Sequence, residues 1–439
     1  MRQRKSRRKS KRRLRLVFAF IIASFLVIAS MGPVFAQETT LTVWWWDYWQ
    51  KGMNAAIEEF GELYPEIKID QVIMGPADVY ENLLLALSAG EGAPDIVGLE
   101  NSHLAQFVAL GGLYDITEKA LPYYDKMDRA KWIDAEDEKG RIYAMPADSG
   151  PVAIWYRRDI FEKAGYPSDP ESVAKLLDTW DDFYEVAKVI KKTTGSYMFA
   201  QAKANNDFRI YEILLWQQEA GYVDREGKVV IDSPKAANTL EYLGKFWKED
   251  LVQDSVSWTA GWYAGIDEGQ VATIIEGVWM GGFLSGWITP ESSGKWGVVP
   301  LPVWEEGGVR SSNDGGSTLA ITEQCENKEA AWKFTEHITA NRKSQLAAWR
   351  EVDWFPSLLE TYTDPMVEEE VAFFGGQKHR KIFVEAAKQI PWWNYTKDYA
   401  EMNSILQVYV TAYALGDIRS AEEALAQTAT EIRARTGRK

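Results

Sequence analysis

The sequence predicts an α/β protein of two domains, on three observations. Between residues 41 and 109, β-branched and aromatic runs alternate with amphipathic helical runs, the order that builds a parallel sheet flanked by helices. The chain has 439 residues, roughly 400 without its N-terminal leader, which exceeds what one hydrophobic core organises. Finally, the strand-like run Gly140–Pro146 is interrupted by Ala147-Asp148-Ser149-Gly150-Pro151 and resumes at Val152–Tyr156. That is how a chain crossing between lobes reads, the alternative being an ordinary turn.

In chain order, Leu41–Trp46 is a first strand by its β-branched and aromatic content. Met53–Leu63 has helical spacing, with Ala56, Phe60 and Leu63 on one side. Ile67–Ile73 alternates as a second strand, and Val79–Ala89 is a helix stopped at Gly90. Ala93–Leu99 contains a short buried strand, and Asn101–Ala109 a helix stopped by Gly111-Gly112. Open α/β sheets bind ligands beyond the carboxyl ends of their strands. Here those ends carry Trp46-Asp47-Tyr48 and Glu100-Asn101-Ser102. Further helices are predicted at Trp180–Lys191, Ile210–Ala220 and Ser233–Glu249, and strands at Val271–Ile275, Trp296–Val299 and Ser317–Ile321. Helices at Lys328–Asn341, Ser344–Arg350, Ala400–Leu415 and Ala421–Thr436 close the chain.

The first 15 residues carry ten Lys or Arg and no acid, Leu16–Met31 is almost wholly apolar, and Val34-Phe35-Ala36 places small residues around a cut after Ala36. This is the pattern of a secretory signal peptide; the alternative is a retained anchor, for which the apolar run is short. Export to the periplasm or cell exterior follows, with cleavage near Ala36. Removing the ten basic residues of the leader from 49 leaves 39 against 64 acidic ones, a net charge of −25. So acidic a chain is not expected to bind nucleic acid or anionic lipid. Cys325 is the single cysteine, so no intrachain disulfide forms.

The chain has 20 Trp, 20 Tyr and 17 Phe, and many of the Trp stand in polar settings: Trp44–Trp49, Trp258-Thr259-Ala260-Gly261-Trp262-Tyr263, Pro391-Trp392-Trp393-Asn394-Tyr395. Each ring is either core volume or a flat platform beside polar groups, the pairing that suits a pyranose ring with apolar faces and hydroxyl edges. His103, His337 and His379 have no metal-type partner at helical spacing, and phosphate-loop, dinucleotide and serine or cysteine nucleophile motifs are missing. No cofactor or metal is expected. Asp47, Glu100, Asp148, Glu276, Asp314 and Asp353 are acids able to approach one cleft. Two facing carboxylates beside aromatic platforms also serve glycosidases, and tryptophan cages hold peptides or compatible solutes.

Ala93-Pro94-Asp95-Ile96-Val97, Gly111–Thr117, Tyr143–Pro146 leading to Trp155–Asp159, Val271–Trp279, and Trp296–Pro302 leading to Gly315-Gly316-Ser317 occur in an order and spacing that span nearly all of the mature chain. Together they resemble family 1 of the bacterial extracellular solute-binding proteins, the maltose-binding-protein-like receptors of ABC sugar importers. The resemblance implies a two-lobe periplasmic-binding-protein-like fold, each lobe a mostly parallel sheet flanked by helices, hinge-linked and closing on ligand. It implies a monomeric, non-enzymatic carbohydrate receptor, for an oligosaccharide on the abundance of aromatics, with ABC permease transmembrane subunits as partners. Mapped here, the N-terminal lobe is residues 37–148 plus 317–353 and the C-terminal lobe 151–315 plus 354–439. The expected ligand-binding residues are Trp46, Asp47 and Tyr48, Glu100 and Asn101, Asp148, Trp279, Trp354 at the third crossing, and Trp392, Trp393 and Tyr395. Of Trp392 and Trp393, one is expected in the core and the other in the cleft. Where maltose-binding protein has a Trp followed by Asp-Arg after the Pro-Asp-Ile strand, this chain has Leu99, Glu100, Asn101, Ser102 and His103, so maltose is not implied.

Overall fold

The computed structural model describes residues 38–439 except 138, 206, 207 and 392–394. The leader, Trp392 and Trp393 therefore lie outside the described residues. In chain order the strands are β1 (Thr39–Trp45), β2 (Ile67–Ile73), β3 (Ile96–Glu100), β4 (Ala144–Pro146), β5 (Val152–Arg157), β6 (Phe199–Ala200), β7 (Val252–Gln253), β8 (Thr273–Gly277), β9 (Trp296–Val299) and β10 (Ser317–Ile321). They form a five-stranded sheet, β2-β1-β3-β10-β4, a three-stranded sheet, β8-β5-β9, and the small pair β6-β7.

β1 runs parallel to β2 and β3, joined by the helices Asp47–Leu63 and Pro76–Ala89. Pro76 opens the second helix with its fixed φ, where a missing N–H costs nothing. β10 is antiparallel to β3 and β4, and β5 is antiparallel to both β8 and β9. The second sheet is thus antiparallel where a mostly parallel one was expected. The reason lies in the hinge: β1, β3 and β8 end at the space between the sheets, whereas β5 and β10 begin there, having just crossed from the other lobe. A strand that starts where its neighbours end must run against them.

Each sheet has its own core. Leu41, Val43, Trp45, Ile96, Val97, Leu319 and Ile321 pack with Trp49, Met53 and Phe60 and with Phe334 and Ile338, so that one core is drawn from chain segments far apart in sequence. Ile154 and Tyr156 pack under Phe183, Leu240, Phe246 and Leu406 in a second core, and Trp155, Trp262, Trp296 and Phe383 in a third. Between the lobes three crossing segments lie side by side. Asp148 bridges to Pro356 and Pro151 to Asn313. The Ser149 N–H donates to the Phe355 carbonyl at 3.0 Å, and the Asp314 N–H to the Gly150 carbonyl at 2.8 Å. A Cβ on Gly150 would sit 2.0 Å from the Asp314 carbonyl oxygen, so only glycine lets the first two crossings touch.

The helix expected at Met53 begins at Asp47. Trp46, Asp47 and Tyr48 are therefore the entry turn of a helix, not a loop. Among the helices the sequence pattern does not predict are Arg158–Lys163, Pro170–Leu176 and His379–Ala387, and two that matter for the site, Ala260–Asp267 and Met280–Phe283, the latter continued by a π-turn over Leu284–Ile288. Both belong to the cleft wall.

Candidate functional site

A cavity of about 700 Å³ opens between the two sheets, where β1, β3 and β8 end. Its N-lobe wall is made of Trp46, Asp47 and Tyr48, with Tyr80 and Glu100 beside them. Trp46 is held edge-on by Trp49 (5.6 Å) and Tyr80 (6.4 Å). The Tyr48 hydroxyl donates to the Val352 carbonyl at 2.8 Å and its ring meets Phe283 edge-on at 5.1 Å. Burial pushes the Tyr48 phenol well above its ordinary range, so it stays a neutral donor.

The hinge supplies the floor. Asp148 and Asp314 through Ser317 all line the cavity. The Ser317 N–H donates to Asp148 Oδ1 at 2.7 Å. Lys131, fully buried, donates to Asn313 Oδ1 and to the Gly315 carbonyl, both at 2.8 Å. Burial raises the Asp148 carboxyl to about 7, against the opposing pull of Lys131 and of the Ser317 hydrogen bonds. Gly316 has φ +89°, and a Cβ there would strike Lys131 Nζ at 2.2 Å, so backbone and space both demand glycine.

The C-lobe wall is aromatic. Trp279 donates its indole N–H to the Asp314 carbonyl at 3.1 Å, which ties the platform to the second crossing. Around it Trp258 lies at 5.6 Å and Phe283 at 5.3 Å, and Trp287 is 5.6 Å beyond Phe283. Below the wall sits Arg209, from the start of the helix Arg209–Trp216. Its guanidinium lies 3.2 Å from Glu212, 3.5 Å from Asp314 and 3.9 Å from Glu100 of the other lobe, and it donates to the Tyr395 hydroxyl at 3.2 Å. Glu212 is completely buried and accepts from Tyr222 (2.7 Å), Tyr399 (2.9 Å) and the Asn403 amide (2.9 Å). A buried carboxylate satisfied this fully fixes its arginine in place. Burial alone would lower the Arg209 pKa, but the surrounding tyrosines, Glu212 and Asp314 hold it above its ordinary value, so the charge is permanent.

Of the ligand-binding residues expected from sequence, Trp46, Asp47, Tyr48, Glu100, Asp148 and Trp279 meet around this cavity, as do the acids Glu276 and Asp314, whereas Asp353 is paired with His379 and Arg380 away from it. Three of the expected ligand-binding residues that are described do not line it. Trp354 packs on Trp49 at 4.8 Å inside the N-lobe core and is 2% exposed. Its position next to the hinge suggested the cleft, but the crossing turns its indole toward the helix Asp47–Leu63. Asn101 is fully buried, and its N–H donates to the Gly316 carbonyl at 3.0 Å, which ties the N-lobe to the second crossing. Tyr395 lies beneath the wall, edge-on to Trp216 (5.3 Å) and Tyr399 (4.7 Å), where it helps to seat Arg209.

Sequence reading missed Arg209, Tyr80, Phe283, Trp258 and Trp287 as wall residues. The polar-flanked Trp258–Tyr263 run was the available signal for Trp258, since it stood out but received no site. For Arg209 the signal was Glu212, a lone charge within the apolar run Ile210–Trp216. Among the described residues there is no cluster of three or more His, Cys, Asp or Glu able to hold a metal, and no helix long and apolar enough to cross a membrane.

Residues 46–344 match the model of a family described as bacterial extracellular solute-binding protein. An arabinooligosaccharide-binding protein of Bacillus subtilis (strain 168) is 26% identical over 375 residues, covering 81% of this chain and 82% of its own length. A lactose-binding protein of Rhizobium radiobacter is 28% identical over 400 residues, covering 87% and 90%. In fold, the chain is similar to the ABC transporter-associated binding protein from B. animalis subsp. lactis Bl-04 solved with β-1,6-galactobiose, with a TM-score of 0.77 and 24% identity over 91% of this chain and 98% of that one.

Proposed function

This chain belongs to the bacterial extracellular solute-binding protein family, and on that premise we propose that it is an exported receptor that captures an oligosaccharide and delivers it to an ABC importer, without chemically altering it. The observation that carries the reading is the cleft itself. Aromatic faces on one wall, with a fixed arginine beneath them, stand opposite carboxylates, the two kinds of group that a sugar ring presents surfaces for. Relatives named for arabinooligosaccharide and lactose binding support the same class of ligand.

In this reading Trp279 and Trp46 offer stacking faces, while Asp47, Glu100 and Asp148 accept from hydroxyls. The lobes 37–148 plus 317–353 and 151–315 plus 354–439 rotate about the three crossings, and sugar that touches both lobes stabilises the closed form. The leader is removed near Ala36, the mature protein is a monomer, and the permease subunits are its protein partners.

A thermal-shift panel of neutral oligosaccharides, peptides and betaines tests the reading. A matching glycan at 100 times its Kd should stabilise the fold by about 2.7 kcal/mol and be recovered intact. Stabilisation by peptides or betaines alone would reject a carbohydrate ligand, and cleavage products would assign a hydrolase.

A further inference from the structure

Trp258 and Trp287 stand apart from the other described tryptophans. They are 41% and 52% exposed, and every other described tryptophan is buried or half-buried. Both line the cavity. Neither hangs loose. Trp258 lies against Trp262 at 4.9 Å and Trp279 at 5.6 Å, and Trp287 against Tyr263 at 4.9 Å and Phe283 at 5.6 Å. Each ring is thus held in place by its neighbours while much of its surface stays open to water.

The backbone beneath them is unusual as well. Trp258 has φ +65°, the left-handed region that a bulky side chain rarely adopts and at some cost. Trp287 rides on the π-turn Leu284–Ile288, a rare widened turn frequent at functional sites. The space beside it is free, since a Cβ on Gly286 would meet no atom within 4 Å. A protein that only needed to fill volume would not hold two indoles in strained or widened backbone and then leave them in water.

Resting on the carbohydrate reading above, we propose that Trp258 and Trp287 form an outer subsite, continuous with the Trp279 platform, that reads the additional units of a longer glycan and so sets a preference for chain length. The aromatic rings step from Trp279, hydrogen-bonded to the hinge, through Phe283 to Trp287 at the open end. A disaccharide seated on Trp279 does not need the outer rings. A tri- or tetrasaccharide extends over them. Ring faces recognise any pyranose unit, so the outer subsite counts units without imposing one sugar identity.

The test is the ratio of affinities within one series. Arabino-, galacto- and maltooligosaccharides of two to five units are titrated by calorimetry against wild type, Trp287→Ala and Trp258→Gly, the latter removing the indole while relieving the backbone. In the preferred series, wild-type affinity should rise with length. Trp287→Ala should weaken the tetrasaccharide about tenfold and the disaccharide less than about twofold, with a melting temperature within about 2 °C of wild type. Trp258→Gly should erase the length dependence in the same way. Equal losses for short and long glycans would place these rings in the inner site, and unchanged affinities would assign them to a surface contact. Either result overturns the outer subsite and leaves the carbohydrate reading intact. If wild type binds no glycan of any length, both readings fall together.

Discussion

The two walls of the cleft are built on different principles. The N-lobe wall is a set of short side chains delivered by strand ends and the helix that follows them: Asp47 and Glu100, with Trp46 and Tyr80 as flanking rings. The C-lobe wall is a continuous layer of rings from residues 258–287, packed edge and face against each other, with one buried arginine network beneath. In the proposed reading one wall meets hydroxyls, where direction matters and a missing partner is costly, and the other meets ring faces, where area matters and orientation matters little. Affinity should therefore be concentrated on the aromatic side and sugar identity on the carboxylate side.

The sharpest difference concerns what holds each wall up. Glu212 is the buried anchor of Arg209 and accepts from three further donors. Glu212→Ala removes the nearest carboxylate of Arg209, which keeps Asp314 at 3.5 Å, leaves two buried tyrosine hydroxyls without their acceptor, and should cost about 3 kcal/mol of stability. The N-lobe wall has no comparable keystone, so Asp47→Ala, at an exposed position, should stay within about 0.5 kcal/mol of wild type. Urea denaturation of the two variants measures both, and similar costs would show that the walls are supported alike.

Trp279→Ala follows in size. A packed indole at the centre of a binding surface typically contributes about 2–4 kcal/mol, so sugar affinity should fall roughly 30- to 1000-fold. Stability should fall by only about 1 kcal/mol, for the lost hydrogen bond to the Asp314 carbonyl. If unfolding is severely affected while the remaining folded protein still binds, Trp279 is core and the aromatic wall is not the seat of affinity.

Asp148 separates the floor from both walls. Its carboxyl is raised to about 7 in the fold, chiefly by burial. Between the ordinary aspartate value near 4 and about 7, the native state therefore binds more protons here than the unfolded chain. Stability from this site is complete at low pH and is lost as pH rises through that window. Asp148→Asn does not titrate. The stability of wild type relative to Asp148→Asn should thus decline from about pH 4 to about pH 7. A constant difference over that range would show that Lys131 keeps Asp148 ionised throughout.

The contrast between the walls also explains what the sequence could show. β1, β3 and their following residues were legible because period-two and helical patterns abut there, so Trp46, Asp47, Tyr48 and Glu100 fell at strand ends by simple position. Trp279 came from the family resemblance. The helices Ala260–Asp267 and Met280–Phe283 are hard to read because Gly261, Gly265, Gly281 and Gly282 weaken the helical signal, although Trp279, Phe283 and Trp287 recur at helical spacing; the Tyr263–Trp287 contact that joins the two segments is a neighbour only in space. Trp354 and Asn101 are expected in the cleft from chain position, and Tyr395 from its aromatic, polar-interrupted run and the family resemblance. Which way a side chain turns at a crossing is decided by tertiary packing, here by Trp49, the Gly316 carbonyl and Trp216. The antiparallel second sheet was missed for a related reason, because the direction of β5 depends on where the hinge releases it.

The smallest effect tests how the walls meet. Glu100 Oε1 lies 3.9 Å from Arg209, an ion pair between the N-lobe strand end and the C-lobe helix, with side chains 28% and 19% exposed. Arg209 cannot swing to follow a departing partner, because Glu212 and Tyr395 hold it, so the pair exists only while the lobes are close. It should favour closure by about 0.2–1 kcal/mol, the range of partly exposed pairs. Glu100→Gln keeps the size of the side chain and its hydrogen-bonding oxygen but removes the charge. Sugar release should then quicken by up to about fivefold, with the melting temperature nearly unchanged. The signature is salt. Ions screen exposed charges over about 8–10 Å at physiological strength, so wild-type release should speed up as sodium chloride is raised, and Glu100→Gln should respond much less. Trp279→Ala, which alters only the aromatic wall, should keep the wild-type salt response despite its far weaker binding. Stopped-flow release rates across a salt series distinguish the two. If the Glu100→Gln rate climbs with salt as steeply as that of wild type, the ion pair plays no part in closure, and the lobes are held together by the ligand and by uncharged contacts such as that of Tyr48 with Phe283.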